Sequence, residues 1–113
     1  MVVAFELDGQ PFTALNGGPQ FSFTEAISLQ ISCETQEQID WYWDRLSEGG
    51  DPAAQNCGWL KDRFGVSWQV TPTIIGEVLG GGGDPTAAAR VTNAFMAMKK
   101  LDIAALERAA AGE

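Results

Sequence analysis

No histidine occurs among the 113 residues. That absence removes the Ser-His-Asp triad, the Cys-His pair and every imidazole-based metal site. General acid–base work would fall to carboxylates, Lys61, Lys99, Lys100 or Tyr42. Cysteine is nearly as scarce. Cys33 and Cys57 lack C-x-x-C spacing, so the expectation is two reduced, partly buried thiols rather than a disulfide framework. Basic residues are few: 7 against 15 acidic ones, for a net charge of −8. This balance argues against nucleic acid and against an anionic membrane surface as partners. No apolar run reaches the length of a spanning helix. The opening "MVVAFELDGQ" lacks the basic region and cleavage site of a signal peptide, and a cytoplasmic protein is expected.

The length suits one domain, and an apolar content of 45% suits a packed core. Val2–Leu7 and Pro11–Asn16 read as strands around Asp8-Gly9, a hairpin signal. "NGGP" at 16–19 then breaks the chain. Ala26–Cys33 alternates cleanly, with Leu29, Ile31 and Cys33 on one face and Ser28, Gln30 and Ser32 on the other. Thr35 with Gln38 predicts a capping box, followed by a helical stripe of Ile39, Tyr42, Trp43 and Leu46 that Gly49-Gly50 stops. Trp41 lies off that stripe: it either covers an edge or a dimer contact, which is the expectation, or is partly exposed at random.

Asp51–Asn56 reads as a short, irregular strand. Cys57–Asp62 and Val66–Thr71 form a hairpin around Arg63-Phe64-Gly65. Its second strand again splits, with Val66, Trp68 and Val70 against Ser67, Gln69 and Thr71. From Pro72 the chain is helical. Ile74, Ile75, Val78 and Leu79 suit a short helix, and "GGGG" at 80–83 suits a flexible joint. Asp84-Pro85 opens a helix with the stripe Val91, Phe95 and Met98, and Asp102 caps a last one. The order predicts an α+β fold with a mostly antiparallel sheet.

The glycine runs lack the G-x-x-x-x-G-K-[ST] and strand–G-x-G-x-x-G–helix contexts of phosphate sites, so they read as turns and linkers. Glu34, Glu37, Asp40, Asp44 and Glu48 read as a solvated helix face. What remains is the polar sheet face, with Ser28, Gln30, Ser32, Ser67 and Gln69, and Asn16 nearby. It is either the wet side of an antiparallel sheet or, if the sheet curves into a cup, a small-molecule site with Trp59 and Phe12 as apolar walls.

The segments "FELDGQPFTALNGGP", "FTEAISLQISCETQEQIDWYWDRLSEGG", "CGWLKDRFGVSWQVTP" and "MKKLDIAALERA" resemble the glyoxalase/bleomycin-resistance (vicinal oxygen chelate) superfamily. The branch is the one often labelled 3-demethylubiquinone-9 3-methyltransferase. The resemblance implies βαβββ modules, each forming half of a curved sheet around a cup, and a homodimer. Residues 26–71 resemble a complete second module, and "KDRFG" at 61–65 stands where the superfamily often has a D-P-x-G turn. Residues 1–18 resemble only the last two strands of an incomplete first module, which implies truncation relative to the family. Residues 72–113 form a helical tail.

The resemblance also implies where metal-dependent members place their His and Glu ligands. Ser28 falls near one His position, Gln69 at the Glu position of the last strand, and Asn16 or Ala14 near the Glu position of the first module. Ser and Gln are poor divalent ligands. No metal or cofactor is therefore expected, and the sequence identifies no catalytic residue. The expected ligand-binding set is Asn16, Ser28, Gln30, Trp59 and Gln69, around an unidentified small molecule. The methyltransferase label has no support in these residues: no glycine-rich strand-to-helix turn with a following acidic residue suggests S-adenosylmethionine binding.

Overall fold

A computed structural model describes residues 1–80 and 83–113. Of the glycine joint expected at 80–83, residues 81 and 82 lie outside the described residues. Strands β1 (Val2–Leu7) and β2 (Gln10–Leu15) form an antiparallel hairpin. Asp8 and Gly9 both take positive φ, 51° and 77°, which matches the twist of a two-residue turn to its strands. This hairpin is a sheet of its own.

The second sheet has the order β3-β5-β4, from β3 (Ser28–Cys33), β4 (Trp59–Lys61) and β5 (Ser67–Pro72). β4 runs antiparallel to β5, and β3 runs parallel to it. The parallel pair needs a long crossover, and helix α1 (Gln36–Ser47) supplies it. The capping box forms as expected: Thr35 Oγ1 accepts from the Gln38 amide, while Gln38 Oε1 accepts from the Thr35 amide. Ile39 and Trp43 then bury against Cys33, Leu60 and Val70, with Trp68 packed alongside. Burying each such side chain is worth about 1.5–3 kcal/mol. The α1 face of the sheet is thus the apolar one, as the alternation predicts.

The stretch Asp51–Asn56 departs from expectation. It is a 3₁₀ turn over Pro52–Ala54, and Asn56 makes only an isolated bridge to Trp59. Pro52 has no N–H for a ladder, and Asp51 Oδ1 accepts from the Ala53 amide, which bends the chain instead.

Helices α2 (Thr73–Leu79), α3 (Pro85–Met96) and α4 (Ile103–Ala111) build a second core on Val91, Leu101 and Leu106. Asp84 and Asp102 cap α3 and α4 as read. The tail is tied to the sheet module at two places. The Cys57 and Gly58 amides donate to the Met98 and Lys99 carbonyls at 2.6 and 2.8 Å. Gln36 donates to the Leu101 carbonyl and accepts from the Ile103 amide. Lys100 also pairs with Asp40 at 3.0 Å, so that carboxylate on the solvated face of α1 also makes a contact with the tail.

The hairpin stands apart, and every residue in it except Phe12 is exposed. The molecule is correspondingly long, 52 × 30 × 25 Å. Its radius of gyration is 16.1 Å, against about 13 Å for a compact chain of this length. Among the described residues no helix is long and apolar enough to cross a membrane.

Candidate functional site

Register assembles the polar face. Gln30 on β3 pairs with Gln69 on β5, which pairs with Trp59 on β4. One step away, Ser28 pairs with Ser67 and Ser67 with Lys61. Side chains of directly opposed residues share a face. The eight residues Ser28, Gln30, Ser32, Ser67, Gln69, Thr71, Trp59 and Lys61 therefore face away from α1. Four of the five expected site residues, Ser28, Gln30, Trp59 and Gln69, fall within two neighbouring cross-strand rows.

The fifth, Asn16, is placed elsewhere. It follows β2 at the open end of the hairpin, where its amide donates to the Met1 carbonyl at 2.9 Å. The hairpin is not hydrogen-bonded to the three-stranded sheet.

The face is held by cross-strand hydrogen bonds. The Gln69 amide nitrogen donates to Ser28 Oγ at 2.9 Å, and that of Gln30 donates to Thr71 Oγ1 at 3.0 Å. Both bonds turn the nitrogens inward and leave the two Oε1 atoms as acceptors. Lys61 forms an ion pair with Glu25, three residues ahead of Ser28. This pair joins the two strands that flank Ser67. A hydrogen bond from Lys61 holds the Glu25 carboxyl below its usual range, with the Lys61 charge adding to it. Beneath, Ser67 is 2% exposed, and among the described residues its hydroxyl has no partner.

The turn that aims β5 rests on a residue with no assigned part in the sequence reading. Asp62 Oδ1 accepts from the Phe64 and Val66 amides, and its Oδ2 accepts from Trp68 Nε1 at 2.9 Å. Gly65 takes φ 89° and closes the loop. The "KDRFG" motif contained the signal, an Asp three residues before a turn Gly.

The side chains bonded across this face are hydroxyls and amides, which are poor divalent ligands. The two β-strand positions where the resemblance puts metal ligands hold a hydroxyl and an amide already bonded to each other. Among the described residues no group of three His, Cys, Asp or Glu side chains could hold a metal ion. The residues do not fit a divalent metal.

A groove of about 890 Å³ lies along the free edge of β3. Leu29, Ile31 and Trp68 line it from the apolar side, and Gln30 and Ser32 from the polar one. Trp41, Tyr42 and Arg45 form its α1 wall, and Leu7 and Phe12 of the hairpin the opposite wall. Trp41, the tryptophan off the stripe, is 51% exposed, meets Tyr42 edge-on at 5.0 Å and carries the Arg45 guanidinium 4.0 Å above its ring.

The family model described as 3-demethylubiquinone-9 3-methyltransferase matches residues 1–71 of this chain. That span contains the hairpin, the sheet and α1; the helical tail lies beyond it. Among solved structures the chain is similar to a PhnB protein from Bacillus cereus whose description carries the same 3-demethylubiquinone-9 3-methyltransferase name. The identity is 36%, the TM-score 0.54, and the match covers 64% of each chain. The chain therefore spans 64% of that protein's length. No curated protein matches it.

Proposed function

The chain belongs to the 3-demethylubiquinone-9 3-methyltransferase family, the glyoxalase-like branch of the vicinal oxygen chelate proteins, and from that premise we propose that it binds a small molecule on its polar sheet face without a metal. The observation that supports this reading is the bond between Gln69 and Ser28, at positions where the resemblance puts metal ligands. Gln30, Gln69 and Ser28 supply hydrogen bonds, and Trp59 supplies an aromatic wall in the same row. In this reading residues 26–71 act as the binding module and residues 72–113 as its support. The protein acts as a homodimer. Asn16 joins the site only if the hairpin closes over it. No methyl transfer is proposed.

Metal analysis and ligand screening test the reading together. The purified protein should carry no stoichiometric divalent metal, and its melting temperature should rise with a small organic ligand. Stoichiometric metal bound at Gln69 would replace this reading with a metal-dependent enzyme of the superfamily. A ligand that bound Gln69→Ala unchanged would remove Gln69 from the site.

A further inference from the structure

We propose that Lys61 and Ser67 form a subsite for the carboxylate of an aryl carboxylate ligand, and that Glu25 fills this subsite from within the chain until a ligand displaces it. This rests on the binding reading above and names the class of molecule the face takes. Register lays the row Ser28–Ser67–Lys61 across β3, β5 and β4, with Ser67 at its centre. Neighbouring strands lie about 4.8 Å apart, so the three polar side chains stand within reach of one small ligand.

Ser67 is the member of the row without a partner. Its hydroxyl is buried and, among the described residues, unbonded. A buried hydroxyl left unpaired is costly, and such groups are normally satisfied. Alternation along β5 sends Trp68 and Val70 into the core under α1 and turns Ser67 the other way, toward the polar face. Its neighbour Ser28 accepts from Gln69 and keeps its own hydroxyl hydrogen to donate. Two hydroxyls beside one ammonium make a row of donors, the complement of an oxyanion.

The chain itself already presents such an oxyanion. Glu25 brings a carboxylate to Lys61 yet leaves Ser67 unbonded. Glu25 belongs to residues 16–27, which hold no helix or strand, and its side chain is 64% exposed. A pair so exposed is weakly held. A ligand carboxylate that engages both Lys61 and Ser67 gains a bond that Glu25 does not make. Charge sets the valence. Among the described residues, Lys61 is the one charged side chain on β3, β4 and β5. One ammonium balances a monoanion, whereas a doubly charged phosphate would stay half compensated in a chain of net charge −8. Trp59, two residues back on β4, faces the same side about 6.6 Å away. It offers its ring to an aromatic body attached to that head group.

Titrating the ¹⁵N-labelled protein with benzoate, benzamide and phenylphosphonate tests the subsite. The Trp59 indole N–H and the amides of β3 and β5 are the readout, and far-UV circular dichroism checks the fold of each variant. The wild type should bind benzoate at least tenfold more tightly than benzamide. Glu25→Gln should tighten benzoate at least fivefold. Ser67→Ala should weaken it at least fivefold while melting no lower than the wild type, the reverse of what a purely structural serine would show. Lys61→Met should abolish the preference for benzoate over benzamide. Benzoate that moves none of these signals, even in Glu25→Gln, overturns the subsite. Benzoate affinity unchanged in Glu25→Gln overturns the displacement, and phenylphosphonate binding more tightly than benzoate overturns the carboxylate assignment. A screened ligand that shifts Gln69 and Trp59 but ignores Lys61→Met removes the subsite and leaves the binding reading. Stoichiometric metal at Gln69 removes both.

Discussion

The Gln69 amide donates to the Ser28 hydroxyl at 2.9 Å, tying together residues 41 positions apart. Each side chain is the other's partner across the parallel pair of strands β3 and β5. A ligand that displaced this bond would have to offer both groups a replacement, so the face favours ligands with paired hydrogen-bonding atoms. Gln69→Ala should cost about 1 kcal/mol, the usual net worth of one such bond. On a domain of this size that lowers the melting temperature by roughly 4–6 °C. Adding zinc, nickel or manganese should leave the wild-type midpoint unmoved in the same thermal scan. Installing Ser28→His with Gln69→Glu should make it metal-dependent.

Asp62 should matter more. Its carboxylate receives three donors, two from the turn's backbone and one from Trp68. Asp62→Ala strands the partly buried indole N–H and both amides, at an expected cost of about 2–3 kcal/mol. Asp62→Asn keeps one acceptor and should fall between it and the wild type. Chemical denaturation measures the loss, and red-shifted tryptophan emission in the native state would report the freed Trp68.

Features set within a few residues were legible in the sequence. The Asp8-Gly9 turn, the Thr35–Gln38 box and the Asp84 and Asp102 caps each need only their neighbours. The shared polar face was legible as well, because alternation in 26–33 and 66–71 fixes which side chains point together. Strand pairing across 41 residues, and hence the bonds of Gln69 and Gln30, could not be read from spacing. The same holds for Lys100 and Asp40, which meet only because the tail docks on α1. Asp51–Asn56 misled because its length suited a strand, while Pro52 and the Asp51 cap decide the local geometry. Asn16 sits next to Leu15 in sequence, but the hairpin that carries it is a separate sheet.

Gly49 and Gly50 together follow the end of α1, yet they do different work. Gly49 takes φ 76°, the left-handed conformation that ends α1. Gly50 has no positive φ, but a Cβ there would collide with the Lys61 carbonyl oxygen. Gly49→Ala should cost about 1–2 kcal/mol through its backbone. Gly50→Ala should cost more, since strand β4 would have to move, and with it Lys61 and the Glu25 ion pair. Comparing the two denaturation midpoints checks the order. Equal losses would mean that α1 shifts at no cost.

Three cases of titration bear on stability or reactivity. Burial pushes the Cys33 thiol up, so iodoacetamide at neutral pH should modify Cys57 and spare Cys33, as intact-mass analysis would show. The Glu25 carboxyl is lowered by Lys61. The Asp40 carboxyl is lowered from its ordinary 3.8 by the hydrogen bond from Gln36 and then by that from Lys100. A lowered carboxylate stabilises the fold at every pH above its unfolded value and loses that contribution as pH falls through the folded one. Both pairs are exposed, so solvent screens each and neither moves the global stability much. The effect is therefore best read locally. Between pH 5 and pH 3 (on the order of one unit either side of the ordinary carboxylate value), amides of the α4 region should exchange faster relative to those of β5. Asp40→Asn should remove that difference by exchanging fast at both pH values. If α4 and β5 lose protection in step in the wild type, the Asp40–Lys100 pair does not hold the tail.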